Sequence, residues 1–416
     1  MSSQAGMHAA TRGENETSRR AETRGPRVLL VDPSLFTAPY DAALTDGLLA
    51  AGVEPTWATR PTRRADRQEL PLARTDPFFY RRTDEAAWLR GPLKSIAKGL
   101  AHFAGLATLL RRVARTRPDV VHVQWIVVPP LDVIAMALLR RRGPLVLTVH
   151  DTVPFNGQKM SWLQRVGHDW PTRLAHRLVV HTRAGRDALV ARGVPAAKIA
   201  VIPHGPLRLA VAPPAELPPR DPRWTFVLFG EVKPYKGLDV LVEALAALDP
   251  ALRAQARVIV AGRPRMDLAP LLARIESLGL APHLELRLQR QSDEQMALLF
   301  AQADCFVFPY RQIDASGVYF LVKSFGAWMI ASRVGIFADD IAEGRDGVLV
   351  PPEDVAALAA ALADAIERRP PRRPLALENS WAGIGQATRA LYEETMNEWR
   401  PATARTETPR ALGEGR

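Results

Sequence analysis

Phe308-Pro-Tyr-Arg-Gln-Ile-Asp-Ala-Ser-Gly-Val318 reads as the exit of a parallel strand running into the start of a helix. The run before it, Cys305-Phe-Val-Phe308, is apolar and β-rich, and Val318 to Ala327 is helical in composition. Between them stand an acid (Asp314), a small hydroxyl (Ser316) and a glycine (Gly317). A helix N-terminus offers unpaired N–H groups and partial positive charge, which favour phosphate, and Gly317 lets the backbone come close to a ligand. A carboxylate repels phosphate, so Asp314 suits hydroxyls instead. Together these features fit a sugar nucleotide. An ordinary helix cap in an α/β protein fits the same residues, and at this point both readings stand.

Outward from this stretch, strand-like and helix-like segments alternate from Arg27 to about Glu367. Buried strands are expected at Arg27–Val31, Val120–Trp125, Pro144–Val149, Leu178–Thr182, Thr225–Phe229, Arg257–Ala261, Leu284–Leu288, Cys305–Phe308, Met329–Ala331 and Gly347–Val350, and a helix closed by Gly52 over Ala42–Ala51. Such βα alternation predicts parallel sheets covered on both faces. The Pro-rich stretch from Pro206 to Pro222 interrupts the alternation and reads as a linker. The expected class is therefore α/β, with two Rossmann-like doubly wound parallel-sheet domains facing a cleft. The expected bounds are a disordered leader (1–25), a first domain (26–205), a linker (206–223), a second domain (224–380), a C-terminal helix packing back on the first domain (381–400) and a disordered tail (401–416).

The second strand exit with chemistry in it is Phe229-Gly-Glu-Val-Lys-Pro-Tyr-Lys-Gly237. Gly230 opens the loop, and Lys233 and Lys236 follow before the next helix. Two ammonium groups there suit a diphosphate leaving group better than a solvated turn. In Thr148-Val-His-Asp151, His150 suits a sugar hydroxyl or carbonyl and Asp151 suits orienting its ring, beside the plainer reading of a satisfied turn histidine. His204, in Ile202-Pro-His-Gly205, reads as structural. Asp32 to Tyr40 lacks a glycine fingerprint and reads as a connecting loop, not a dinucleotide site. Neither paired Cys/His spacing nor an Asp-x-Asp run follows a strand, so metal-independent chemistry is expected.

The chain of 416 residues carries 55 Lys+Arg against 44 Asp+Glu, a formal net charge of +11. That favours polyanionic partners, although an arginine-rich composition alone gives the same number. The stretch from Arg90 to Arg117 concentrates the effect: Leu93, Ile96, Ala97, Leu100, Phe103, Ala104, Ala107, Leu110 and Val113 recur at helical spacing. Lys94, Lys98, Arg111, Arg112, Arg115 and Arg117 supply charge without an intervening acid. Such a helix suits an anionic bilayer surface, or a sheet on one side and water on the other. A nucleic-acid partner is not expected, since no stacked-aromatic groove or known module accompanies the charge. The single cysteine, Cys305, reads as a core residue of a reducing compartment. No run is long and apolar enough to span a bilayer and no secretory leader is seen, so a cytoplasmic location, peripheral on the inner membrane face, is expected.

These motifs resemble the GT-B-fold glycosyltransferases, specifically family 4, the retaining group of bacterial polysaccharide and glycoconjugate assembly. The resemblance spans roughly Arg27 to Trp399 and is strongest in the second half. Gly230 to Gly237 looks like the family's Gly-x5-Lys-Gly donor loop, and Pro309 to Val318 like its donor motif. Thr148–Asp151, Val201–Gly205, Gly347–Pro352 and Ser380-Trp381 match further habits of the family. The resemblance implies that Lys236 binds the donor diphosphate, with Gly230 and Lys233 beside it. It implies that Ser316, Gly317 and Val318 meet phosphate, that Asp314 contacts the donor sugar as the first acid of a Glu-x7-Glu motif, and that His150 approaches the same sugar. It also implies a nucleotide-diphosphate-sugar co-substrate, no cofactor or metal, a glycan or lipid-linked glycan acceptor, and transfer with retention. Four departures stand out: Glu231 replaces the usual arginine, Val322 replaces the second glutamate, the glycine-rich loop after the first strand is absent, and Phe325-Gly-Ala-Trp-Met329 replaces a Gly-x-Pro pattern. They motivate the alternative of a catalytically silent GT-B-like binding or scaffold protein.

Overall fold

The computed structural model describes residues 25–64, 66–86, 90–152, 169–373 and 380–399; residues 1–24 of the expected leader and the expected 401–416 tail lie outside them. Two sheets organise the chain. The first contains β1 (Arg27–Asp32), β2 (Glu54–Thr59), β3 (Thr75–Pro77), β4 (Val120–Val123), β5 (Leu145–Thr148), β6 (Arg177–Val180) and β7 (Ile199–Val201), in the order β3-β2-β1-β4-β5-β6-β7. The second contains β8 (Trp224–Phe229), β9 (Ala256–Ala261), β10 (Leu284–Arg287), β11 (Cys305–Phe308), β12 (Trp328–Ser332) and β13 (Gly347–Val350), in the order β10-β9-β8-β11-β12-β13. Every pair in the second sheet is parallel, and β2–β3, β1–β2, β1–β4 and β4–β5 are parallel in the first. The expected α/β class with two doubly wound parallel sheets is therefore the observed one. The chain divides into two compact units, residues 1–148 with 162–178 and 381–416, and residues 149–161 with 179–380.

In the second unit the strand period of two explains the layering. Phe226, Leu228, Val258, Val260, Cys305, Val307 and Ile330 face one core, shared with helices Leu238–Ala247 and Val355–Arg368. Val227, Ile259, Phe306, Phe308, Met329 and Ala331 face the other, with Phe300, Tyr319, Phe320 and Phe337. Both faces are covered, so the strands read as continuous apolar runs rather than alternating ones. Cys305 lies fully inside the first of these cores. Leu207 and Leu209, from the Pro-rich stretch, pack on the second core.

In the first unit, helix Ala38–Ala50 packs Leu44 and Leu48 inward, and helix Trp381–Glu398 docks on it where Gly47 and Gly385 bring the backbones together. Helix Gly91–Thr116 matches the expected basic stretch, and Arg117 closes it in a left-handed conformation. Its burial does not follow the apolar stripe read from sequence. His102, Gly105, Leu106, Leu109 and Val113 are buried, whereas Leu93, Ile96, Leu100 and Phe103 are exposed. Among the described residues no helix is long and apolar enough to cross a membrane.

The β1 exit carries a pair of fully buried acids. Asp32 accepts from the Ser34 and Phe36 N–H groups, and Asp41, in the first turn of the following helix, accepts from the Thr37 hydroxyl. Burial, with the Asp32 charge alongside, raises the Asp41 carboxyl well above the carboxylate range. So raised, the Asp41 carboxyl keeps its proton well above the pH at which a solvated carboxyl loses it. The folded protein thus holds a proton that the unfolded chain sheds near pH 4, so stability from this site is complete in acid and is lost as pH rises through the folded-state pKa. Asp41→Asn mimics the protonated acid without titrating. It is expected to raise stability by about 1–3 kcal/mol at pH 8, with little change at pH 4.5, as read from denaturant unfolding at the two pH values. A gap that does not widen with pH contradicts the raised Asp41 carboxyl.

Candidate functional site

The strand order of the second sheet reverses between β8 and β11, neighbours in the register Cys305↔Phe226 and Phe306↔Val227. Chain leaving the carboxyl ends of two such strands diverges and leaves room for a ligand. The two stretches singled out in the sequence, 229–237 and 309–317, are the segments that leave these two ends. They are stitched together: the Arg311 N–H donates to the Tyr235 carbonyl (2.8 Å), and the Arg311 guanidinium donates to the Pro234 carbonyl (2.7 Å) and pairs with Asp239 (2.6 Å) and Glu353 (2.7 Å). Gly237 sits at φ +65°, where a Cβ would lie 1.9 Å from the Pro309 carbonyl oxygen. Its missing side chain is what lets the loops meet.

Lys236 lies under this junction, 4% exposed. Its Nζ donates to the Phe229 carbonyl (3.0 Å) and sits 5.4 Å from the centre of the Tyr310 ring. Among the described residues no carboxylate pairs with it. Burial, then the neighbouring Lys233 ammonium, pulls its pKa down to about 7, with Glu231 acting weakly upward. Gly230, at φ +96°, leaves space that a Cβ would take from Lys236 Nζ (2.7 Å) and Val318 Cγ2 (3.0 Å). Gly230, Lys236 and Val318 therefore converge on one spot.

The other residues expected in the site fall around it. Ser316 is buried and caps helix Gly317–Lys323, accepting from the Tyr319 N–H, while Gly317 is exposed. Asp314 accepts a short hydrogen bond from the Thr152 N–H, which ties it to the segment carrying His150 and Asp151. Asp151 is near enough to Tyr235 to add to the upward push that burial gives its phenol. Lys233 is engaged locally: its Nζ is 3.2 Å from Glu231, which also pairs with Arg265 (2.7 Å). Glu231, standing where a cation was expected, is thus held between two cations. Arg265 is a residue the sequence reading missed; its signal was the Gly262-Arg-Pro-Arg265 run at the exit of β9. Val322, at the position of the second motif acid, is 1% exposed in the apolar core and takes no part in the site.

His150 is half-buried, with Nδ1 3.2 Å from His181 Nε2. His181 and His204 are buried; His204 stacks on Phe320 with ring centres 4.0 Å apart, the structural role expected for it. His181 was not picked out in the sequence. It lies 31 residues from His150, and the fold alone joins them.

Chemically, the arrangement offers an ammonium poised near neutrality, an open backbone position at Gly230 and Gly317, and a carboxylate and an imidazole beside them. Comparisons with known proteins bear on the family and the fold. The family described as "Glycosyltransferase Family 4" matches residues 42–205, and "Glycosyl transferases group 1" matches residues 214–379. A phosphatidyl-myo-inositol mannosyltransferase of Mycolicibacterium smegmatis is 29% identical over 60% of this chain and 62% of its own length. The matched region is therefore under two thirds of that relative. A glycogen synthase of Mycobacterium tuberculosis is 27% identical over 66% of this chain and 69% of its own. A solved structure of Anabaena HepE in complex with UDP-glucose covers 90% of this chain and 98% of its own, with a TM-score of 0.60 and 17% identity, a likeness of fold.

Proposed function

The chain belongs to the GT-B glycosyltransferases of family 4, and from that premise we propose that it moves a sugar from a nucleotide-diphosphate donor to a glycan or lipid-linked glycan acceptor, with retention. The observation that carries the reading is the Lys236 ammonium, buried between the β8 and β11 exits without a carboxylate partner among the described residues. A buried cation without a counter-charge is costly and is repaid when an anion arrives. The donor diphosphate is the anion assigned here, with Gly230 and the Ser316-Gly317-Val318 turn beside it. Asp314 and His150 take the donor sugar. The acceptor oxygen attacks the anomeric carbon on the face that the diphosphate leaves; the bond to the diphosphate breaks, and the acceptor's proton passes to the leaving phosphate oxygen. Lys236 stabilises the charge that builds there, so this assignment needs neither a metal nor a cofactor at the diphosphate. The relatives, a mannosyltransferase and a glycogen synthase, support glycosyl transfer and leave the acceptor open.

The test is a panel of nucleotide sugars, read by calorimetric titration and by nucleotide release. One or a few donors should bind and turn over. The rival reading, a silent scaffold, is favoured by Val322 in the core and Glu231 in place of a cation; a panel in which no donor binds supports it and removes the enzyme.

The reading also places the protein at an anionic membrane surface through helix Gly91–Thr116, peripheral on the inner face. The exposed Leu93, Ile96, Leu100 and Phe103 lie opposite the helix's buried side, and at 3.6 residues per turn Arg111 and Arg115 continue their stripe.

A further inference from the structure

Glu231 is out of place on charge alone. It stands one residue after Gly230, close to the buried Lys236 ammonium that the transferase reading gives to a diphosphate, and a carboxylate repels a phosphate. We propose that Glu231 is a positioning residue: it holds Arg265, from the exit of β9, as a further binding residue for the donor diphosphate, with Lys233 beside it. The identity of the anion rests on the transferase reading.

Backbone contacts lay the β9 exit against the β8 exit. The Gly230 N–H donates to the Ala261 carbonyl (2.9 Å), the Val232 N–H to the Arg263 carbonyl (2.9 Å) and the Arg265 N–H to the Val232 carbonyl (2.8 Å). Val232 and Pro264 pair as an isolated parallel bridge. Gly262 makes the approach possible: at φ +154° a Cβ there would lie 2.1 Å from the Gly230 carbonyl oxygen. Gly230 is in turn the residue whose missing side chain leaves room for Lys236 Nζ. Arg265 thus starts from backbone fixed to the same loop that carries Lys233 and Lys236.

The side chains complete the set. Arg265 meets Glu231 Oε1 through both Nε (2.7 Å) and Nη2 (2.5 Å), and Lys233 Nζ lies 3.2 Å from Oε2. One carboxylate therefore bridges a guanidinium and an ammonium, and among the described residues no other carboxylate pairs with either. Burial pushes the Glu231 carboxyl up, but Arg265 and Lys233 outweigh it and hold the group below the ordinary range, so it is charged at neutral pH. Lys233 and Glu231 are both close enough to Lys236 to act on its proton, the ammonium downward and the carboxylate upward. Three basic side chains against one acid leave the junction of the two loops with a positive surplus, which suits a diphosphate. The Lys233, Glu231 and Arg265 side chains are 26%, 42% and 43% exposed. Ion pairs so open to water add little to stability, so holding the fold together does not account for them. The described contacts use a minority of the N–H groups of Arg265 and Lys233, and the others can turn to phosphate oxygens. In that role Glu231 belongs to a working anion site rather than marking a lost one.

The test is calorimetric titration of the full chain with inorganic pyrophosphate and with UDP, GDP and ADP. The wild-type protein should bind pyrophosphate and at least one of the nucleotides. Arg265→Ala should weaken both about 10- to 30-fold, the lower end of the scale for hydrogen bonds between charged groups, with an unchanged melting temperature. Arg265→Lys, which keeps a point charge and loses the fork, should recover part of the loss. The sign of Glu231→Ala separates a tether from a repulsive neighbour. In the wild-type background it should weaken pyrophosphate binding by about three- to fivefold, the scale of an exposed ion pair. In the Arg265→Ala background, where the carboxylate only cancels Lys233, the same change should tighten it. Tighter pyrophosphate binding by Glu231→Ala in the wild-type background overturns the positioning role. Arg265→Ala that binds pyrophosphate as the wild type does, even if it binds the nucleotide less well, overturns the diphosphate contact. A wild-type protein that binds none of the four probes removes the transferase reading and this inference with it; a wild-type protein that binds, with variants that match it, removes this inference alone.

Discussion

Lys236→Met should cut glycosyl transfer by about 10²–10³-fold, the scale on which a single preorganised charge partner at a leaving oxygen acts, while the protein stays folded and its stability at neutral pH holds or rises. The two halves of this result come from one fact. The Lys236 ammonium is fully enclosed, bonded to the Phe229 carbonyl and lying over the Tyr310 ring, and its pKa is drawn down to about 7. A lysine kept at that pKa is a cost to the folded state. The unfolded chain holds the proton up to the ordinary lysine range and the folded chain does not, so stability climbs as pH rises from about 7 toward 10. Methionine fills the same volume without a charge to desolvate, so that climb should vanish in the variant. Turnover and the pH dependence of denaturant midpoints are the two measurements. If Lys236 were only a packing residue, Met would leave turnover unchanged, and the diphosphate assignment would fall. If the variant lost stability at neutral pH, the ammonium would be a structural element and not a ligand waiting for an anion.

The sequence disclosed more about the second unit than about the first, and the reason is physical. Strands buried on both faces are continuous apolar runs, so Cys305–Phe308 and Gly347–Val350 fall where they were expected, and β8 and β9 differ by one residue. The helix expected over Val318–Ala327 starts one residue earlier and stops at Lys323, because Gly326 turns to φ +63°. In the first sheet β2, β3 and β7 escaped notice. β3 and β7 are three residues each, and β2 contains Pro55 and polar residues, so none carries a run long enough to stand out. Periodicity found helix Gly91–Thr116 but not its orientation, since a repeat of 3.6 residues says which residues share a face and not which face meets the core. Gly105 is buried against the Phe79 ring and His102 bonds to Tyr80 (2.6 Å) and Asp132 (2.7 Å), so a face with few large apolar residues became the inner one. At the candidate site, the residues next to a strand end were legible, because local sequence sets loop chemistry. Arg265 and His181 were not, because only the folded sheet brings residues tens of positions apart into contact.

That reversed helix leads to the second large effect: replacing Leu93, Ile96, Leu100 and Phe103 together by serine should abolish flotation with anionic vesicles. These side chains are 58%, 61%, 67% and 59% exposed. Fully burying such a residue gives about 1.5–3 kcal/mol, so with this exposure each can return about 1–2 kcal/mol on insertion. If roughly half of that is realised at the headgroup boundary, the four supply about 2–4 kcal/mol, a partition difference of roughly 30- to 700-fold. The substitutions lie opposite the face that packs Leu106, Leu109 and Val113, so the melting temperature should stay unchanged. The charge contribution separates by salt. Arg111 and Arg115 extend the stripe, whereas Lys98 is paired with Asp84 (3.3 Å) and Arg112 with Asp76 (3.0 Å), which leaves those two less to offer a lipid phosphate. A cation near an anionic surface contributes about 1 kcal/mol, so Arg111→Ala with Arg115→Ala should weaken vesicle binding by about 10- to 30-fold at low salt and by much less at high salt. Apolar insertion survives salt and arginine attraction does not, so the two variants have opposite salt signatures. Equal recovery of the wild-type protein with anionic and with uncharged vesicles would remove the bilayer from this surface. A fourfold variant that changes the oligomeric state instead would assign the stripe to a second copy of the chain.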